Sequence, residues 1–167
     1  MEDNFKDVLH QIKAIVLDVD GVLTDGSLLL VPGEVPVRKM NVKDGYAMQL
    51  AIKKGLKVGV ITGGKSESVK ERLNKLGIFD VYLGADTKLE CFEDFMLTHE
   101  LQAQNVLYMG DDLPDLEVMK KVGAPTCPKD AAPEIKQIAT YQSPKKGGHG
   151  CVRDVIEQTL RAQKKWE

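Results

Sequence analysis

Residues 12–25 read IKAIVLDVDGVLTD. Ile12 to Leu17 is a short apolar run rich in β-branched residues, the pattern of a strand buried on both faces. The run ends in Asp18. Asp20 follows just beyond it, and Gly21 then lets the chain turn. The sequence downstream repeats this theme. Lys43 to Lys54 reads as a helix, with Ala47, Leu50 and Ala51 on one face and Gly55 at its boundary. LKVGVIT, Leu56 to Thr62, is a second buried-strand pattern. Ser66 to Leu76 is an amphipathic helix carrying Val69, Leu73 and Leu76, closed by Gly77. A short strand over Val81 to Leu83, a helix over Lys88 to His99 and a strand over Val106 to Gly110 follow. A helix over Leu113 to Val122 and a last strand of the series, Ala124 to Cys127, complete it.

Strict strand–helix alternation predicts an α/β fold: a Rossmann-like, three-layer parallel sheet with helices on both faces. In such sheets ligands bind at the carboxyl ends of the strands. Two segments break the alternation. Ser27 to Met40 carries Leu28 to Val31, then Pro32-Gly33-Glu34, then Val35 and Val37, which reads as a β-hairpin projecting from the sheet over 27–40. SPKKGGHG, Ser143 to Gly150, reads as a small, basic, flexible segment. With the terminal helix Cys151 to Gln163 it forms a tail over 143–167.

The 167 residues carry 23 Lys+Arg against 25 Asp+Glu, a formal charge of -2. That balance argues against a dedicated nucleic-acid binder. The apolar stretches are too short to cross a bilayer, and Met1 to Asp7 is charged rather than signal-like. Three widely spaced cysteines, Cys91, Cys127 and Cys151, suit a reducing cytoplasm better than a disulfide framework. A single domain over 1–167 is expected, with no cap domain, because hairpin, helices and strands already fill the intervals Asp20–Thr62 and Thr62–Lys88.

Four features fall at predicted strand ends or helix starts. They are Asp18 and Asp20, then Thr62 in ITGG, Lys88 in DTKLE, and Asp111, Asp112 and Asp115 in GDDLPD. Each alone has an ordinary reading: a solvated turn, a strand-end threonine, a surface lysine, an acid-rich helix start. Together at one sheet edge they describe phosphoryl transfer to a carboxylate. A phosphate monoester repels an approaching carboxylate, so a divalent cation must neutralise the pair. Hard oxygen ligands suit Mg²⁺, for which Asp18 and Asp111 supply two. Asp20 is placed to act as general acid and then base, while Thr62 and Lys88 hold the transferring oxygens. A phospho-accepting receiver domain uses similar residues in a different chain order: an acid pair first, the acceptor third, then Thr and Lys.

DVDGVLTDG, Thr62, Lys88 and GDDLPD resemble the four motifs of the haloacid dehalogenase superfamily of phosphatases, over nearly the whole chain. NVKDGYA (Asn41 to Ala47), TGGKSESVKERLNKLG and GGHGCVRDV resemble more narrowly its capless branch acting on 3-deoxy-D-manno-octulosonate 8-phosphate in lipopolysaccharide precursor synthesis. That branch is itself similar to the phosphatases of nine-carbon keto-deoxy sugar acids. The resemblance implies Asp18 as nucleophile, Asp20 as acid/base and, through its carbonyl, a Mg²⁺ ligand, and Asp111 as the third ligand. It implies phosphate binding by Thr62, Gly63 and Lys88, with Asp112 or Asp115 orienting Lys88 or metal-bound water. Substrate contacts are implied for Asn41, Val42, Lys43, Asp44, Gly45, Arg72 and His149. A homotetramer is implied too, its central assembly built from the hairpins and each site closed by a neighbouring subunit. Two positions depart from the pattern: Gly64 and His149 stand where the branch commonly has arginines, and a histidine offers no guanidinium fork.

Overall fold

The computed structural model describes residues 4–167. A short helix α1 (Phe5–Val8) precedes strand β1 (Ala14–Leu17). The chain then runs through α2 (Val42–Lys53), β2 (Lys57–Ile61), α3 (Glu67–Lys75), β3 (Asp80–Tyr82), α4 (Lys88–Thr98) and β4 (Val106–Met109). It continues through α5 (Leu116–Met119), β5 (Ala124–Cys127), α6 (Pro133–Ile138), β6 (Tyr141–Gln142) and α7 (Cys151–Ala162). The six strands form one parallel sheet in the order β3-β2-β1-β4-β5-β6. The order reverses at β1, so the crevice between the carboxyl ends of β1 and β4 is the place where a ligand binds in such a sheet.

Side chains alternate across the sheet, as period-two geometry requires. Ile15, Leu17, Leu107 and Met109 face a core made with α1, α2, α3 and α7. Ala14, Val16, Val106 and Tyr108 face a second core with α4, α5 and α6. Both faces are covered, which is why the strands read as unbroken apolar runs rather than alternating ones.

Most expected elements are present within a residue or two. The expected helix 113–122 is not continuous. Pro114 and the reciprocal bonds of Asp112 and Asp115 wind Leu113–Asp115 into a tight 3-10 turn, leaving only Leu116–Met119 α-helical. The series also does not end at Cys127, since α6 and β6 extend it. The hairpin is reduced to one antiparallel bridge, Leu29 with Val37, with N···O distances of 3.0 and 2.9 Å. Its turn closes where Glu34 N–H donates to the Val31 carbonyl at 3.0 Å; Pro32 and Gly33, the latter with φ 76°, fill the two middle positions.

Residues 143–150 do not hang free. Gly148 N–H donates to the Val22 carbonyl at 3.0 Å, Gly147 N–H to Asp130 at 3.0 Å, and Lys129 N–H to the Lys145 carbonyl at 2.9 Å. A Cβ at Gly147 or Gly148 would collide with the backbone of residues 21–25. These glycines therefore serve close backbone approach, and the segment that composition marks as flexible is docked. Among the described residues, no helix is long and apolar enough to cross a membrane.

Candidate active site

The chain leaves β1 through a sharp bend. Asp18 Oδ1 accepts from Val19 N–H at 2.7 Å. Asp20 is extended and Gly21 adopts φ 86°, a left-handed conformation that favours glycine. The Asp111 carboxylate lies directly against Gly21, where any side chain would displace it. Thr24, fully buried, braces the bend: its hydroxyl oxygen accepts from Gly21 N–H at 3.3 Å and Gly26 N–H at 3.2 Å.

A cleft of about 600 Å³ opens at the carboxyl ends of β1, β2 and β4. Asp18, Asp20, Thr62, Gly63, Lys88, Asp111, Asp112 and Asp115 all line it. Lys88, at the start of α4, places Nζ 2.9 Å from Asp18 Oδ1 and 2.8 Å from Asp115 Oδ1. Asp115 is fully buried and saturated. Its Oδ1 also accepts from Tyr108 O–H at 2.6 Å, and its Oδ2 from the N–H of Asp111 at 3.0 Å and of Asp112 at 3.4 Å. Of the two acids that could orient Lys88, it is Asp115 that touches it. Asp112 instead caps the following turn, accepting from Leu113 N–H at 2.8 Å. Thr62 ends β2, and its hydroxyl oxygen accepts from Gly64 N–H at 3.1 Å.

The electrostatics follow from burial. Burial, and then the Asp115 charge, push Asp18 well above the usual carboxylate range, while Lys88 opposes them. Asp111 is pushed up to about 6, first by burial and further by Asp115 and Asp112, with its contact to Asp18 acting the other way. Burial works to lower Lys88, but Asp18 and Asp115 outweigh it and raise the ammonium above its ordinary value. Burial and then Asp115 raise Tyr108, so it remains a phenol donor.

The donor set fits a hard divalent cation. Carboxylate oxygens of Asp18, Asp111 and Asp115 lie within 4.8 Å of one another. Asp115 is consumed by its own hydrogen bonds, which leaves Asp18 and Asp111 as the crowded pair that a cation would relieve.

The remaining expected residues lie apart. Asn41, Val42, Lys43 and His149 line a second cleft of about 590 Å³ with Lys145 and Arg153, at the N-terminal ends of α2 and α7. Arg72 is exposed on α3, and Gly45 is buried with the Arg72 guanidinium against it. Asp44 lines neither cleft. It is 1% exposed and accepts from Arg153 N–H at 2.9 Å, capping α7, whose own N-cap Gly150 has no side chain to offer. In this structure the Asp44 carboxylate serves as a cap for α7.

Three residues that hold the lining of the first cleft without lining it themselves escape sequence reading: Thr24, Tyr108 and Arg38. Arg38 reaches down from the hairpin and forks onto Asp20, with Nε 2.6 Å from Oδ1 and Nη2 3.1 Å from Oδ2. A Cβ at Gly64 would lie 2.9 Å from Arg38 Nη2, so Arg38 fills the space that a side chain at 64 would need. Arg38 and its neighbour Lys39 are the two cations of the apolar hairpin, and nothing in the sequence shows which of them turns onto Asp20.

The haloacid dehalogenase-like hydrolase family model matches residues 42–128. The chain is 39% identical over 156 residues to the 3-deoxy-D-manno-octulosonate 8-phosphate phosphatase of Salmonella typhi, covering 93% of this chain and 83% of that protein. The crystal structure of the Yersinia pestis enzyme of the same name superposes with a TM-score of 0.95 at 35% identity, over 98% of this chain and 88% of that one. The Moraxella catarrhalis enzyme, solved with a magnesium ion, a phosphate ion and a KDO molecule, superposes at 0.93 with 29% identity, over 98% and 94%. Sheet order, the acid-lined crevice at its switch point and these matches over nearly the full length agree: the chain belongs to the haloacid dehalogenase-like hydrolases.

Proposed function

We propose that the protein is a Mg²⁺-dependent phosphatase that hydrolyses 3-deoxy-D-manno-octulosonate 8-phosphate in lipopolysaccharide precursor synthesis, within a single capless domain. One observation carries the reading: Asp18, Lys88 and Asp115 form a continuous buried ion chain at the end of β1, facing the cleft that Asp20 and Thr62 share.

Asp18 attacks phosphorus, forming an aspartyl-phosphate as the ester P–O bond breaks. Asp20 gives its proton to the departing sugar oxygen. It then takes a proton from a water that attacks the aspartyl-phosphate, and orthophosphate leaves with Asp18 restored. Lys88 holds Asp18 in place and offsets negative charge. Thr62 and Gly63 orient the phosphoryl oxygens. The carboxylates of Asp18 and Asp111, with the carbonyl of Asp20, would hold Mg²⁺, which would supply charge neutralisation for the approach of Asp18 to the phosphate.

The sugar-acid end requires more than one chain provides. Asn41, Val42, Lys43, Arg72 and His149 lie away from the catalytic cleft, and the hairpin exposes Leu28, Leu29, Leu30, Val31, Val35 and Val37. Both features support a homotetramer in which the hairpins pack together and a neighbour closes each site. Because Gly64 and His149 depart from the arginines usual in the capless branch, the second reading of the substrate is a nine-carbon keto-deoxy sugar-acid phosphate, with the same chemistry. Comparing kcat/KM across phosphorylated eight- and nine-carbon keto acids separates the two. Asp18→Asn is expected to keep the fold and lose turnover by at least about a thousandfold, the scale of removing a nucleophile; substantial activity in that variant would refute the mechanism.

A further inference from the structure

The catalytic cleft is short of cationic side chains for a phosphate ester. Six acids line it, Asp18, Asp20, Asp86, Asp111, Asp112 and Asp115, against Lys88 alone. Lys88 already spends two of its three N–H donors on Asp18 and Asp115.

Arg38 stands at the edge of the same space. Its side chain is 8% exposed, although the hairpin that carries it is largely open to solvent. Of its five donors, Nε and one Nη2–H hold Asp20, and one Nη1–H reaches the Pro36 carbonyl at 3.3 Å. Two N–H groups are left. One is on Nη2, which lies over Gly64. Gly64 N–H in turn donates to the Thr62 hydroxyl, so the Nη2 nitrogen stands beside the turn formed by Thr62 and Gly64, both of which line the cleft. Gly64 has no positive φ. The glycine is therefore there for room, not for backbone conformation, and the guanidinium uses the room.

We propose that Arg38 is a substrate-binding residue that takes a phosphoryl oxygen of the phosphate ester with its Nη2 arm while remaining tethered to Asp20. The proposal rests on the phosphatase reading of the cleft. Arg38 brings a second cationic side chain, beside Lys88, to the phosphoryl group, in the planar geometry that suits phosphate. Through its fork it also fixes Asp20 relative to the group that Asp20 must serve. Because the contact is to the phosphoryl end, it is shared by every phosphate ester the enzyme accepts.

The test uses four proteins: wild type, Arg38→Ala, Gly64→Arg and the double variant. Each is assayed for orthophosphate binding by calorimetry with Mg²⁺, and for kcat and KM on the sugar phosphate and on a small aryl phosphate. Losing one charge-assisted contact should weaken orthophosphate binding and raise both KM values by about tenfold or more, with a smaller change in kcat. Gly64→Arg alone should impair binding too, because two guanidinium groups compete for one space. In the double variant the new arginine enters the vacated space, and binding should return to within about threefold of wild type, a rescue that loss of a hairpin anchor alone would not give. Unchanged orthophosphate binding in Arg38→Ala, or a double variant no better than Arg38→Ala, would overturn the proposal. So would a loss confined to the sugar phosphate, which would place Arg38 on the sugar acid instead. A wild-type protein that neither binds orthophosphate nor hydrolyses either ester would sink the phosphatase reading and this proposal with it. An active wild type matched by Arg38→Ala would sink this proposal alone.

Discussion

Asp111 ties the pH behaviour of the fold to metal binding. Its carboxyl is held at about 6 in the folded chain, against about 4 for an unfolded aspartate. A group raised in this way binds more protons folded than unfolded, so its contribution to stability falls as pH rises through that interval. Metal binding needs the same carboxylate deprotonated. With a chelator present, the unfolding temperature is expected to decline from about pH 4.5 to about pH 7. The gain on adding Mg²⁺ should be larger at about pH 7.5 than at about pH 5, because the proton no longer competes. Thermal unfolding followed by circular dichroism measures both. A Mg²⁺ gain that ignores pH, or one that survives intact in Asp111→Asn, would contradict this account. Tyr108 shows how the same residues are steadied from below the cleft: its buried hydroxyl on Asp115 fixes the carboxylate that fixes Lys88.

The α2–α7 pair is where sequence patterns mislead most. Asp44 opens α2 as a first-turn acid and Asn41 caps it, so nothing local shows that the Asp44 carboxylate serves another helix. Asp44→Ala removes the cap of α7 and is expected to cost about 1–2 kcal/mol, the usual range for a lost cap, seen as a lower unfolding temperature. KM should stay within about twofold of wild type. A raised KM with an unaltered unfolding temperature would return Asp44 to substrate binding. The strands were legible because burial on both faces leaves β-branched runs, and strand ends then place Asp18, Thr62 and Asp111 together. Lys88 is brought to them by the start of α4. Helix α6 has six residues and β6 has two, too short for periodicity to register. Arg38 was hidden for another reason. Its partner is set by how the hairpin returns over Asp20, a tertiary path with no local signature. Asp112 and Asp115 look alike in GDDLPD, and only the tight turn decides which one faces Lys88.

The molecule as a whole presents an apolar hairpin to solvent, Leu29 at 64% and Leu30 at 74% exposed, a concentration that monomers usually avoid. If the hairpins build the proposed homotetramer, replacing both with Asp should yield monomers in sedimentation equilibrium while leaving the subunit's unfolding temperature nearly unaltered, since both side chains are exposed on the subunit. Turnover of the sugar phosphate should fall by about tenfold more than that of a small aryl phosphate, as expected if enclosure by a neighbour contributes substrate contacts. An intact assembly in this variant would remove the hairpin from the interface. Gly147 and Gly148 have a consequence of another kind. They press on residues 21–25 from the far side of the sequence, and Gln163 reaches back to the carbonyls of Leu9 and Ile12. Contacts of such long sequence separation close late and slowly. A nascent chain that has exposed β1 to β4 can pair those strands, yet it still lacks the glycines that brace the Asp20 loop. Synthesis therefore imposes an order in time: the central strands come first and catalytic competence follows, so fragments that end before Gly147 leave the ribosome without a finished site.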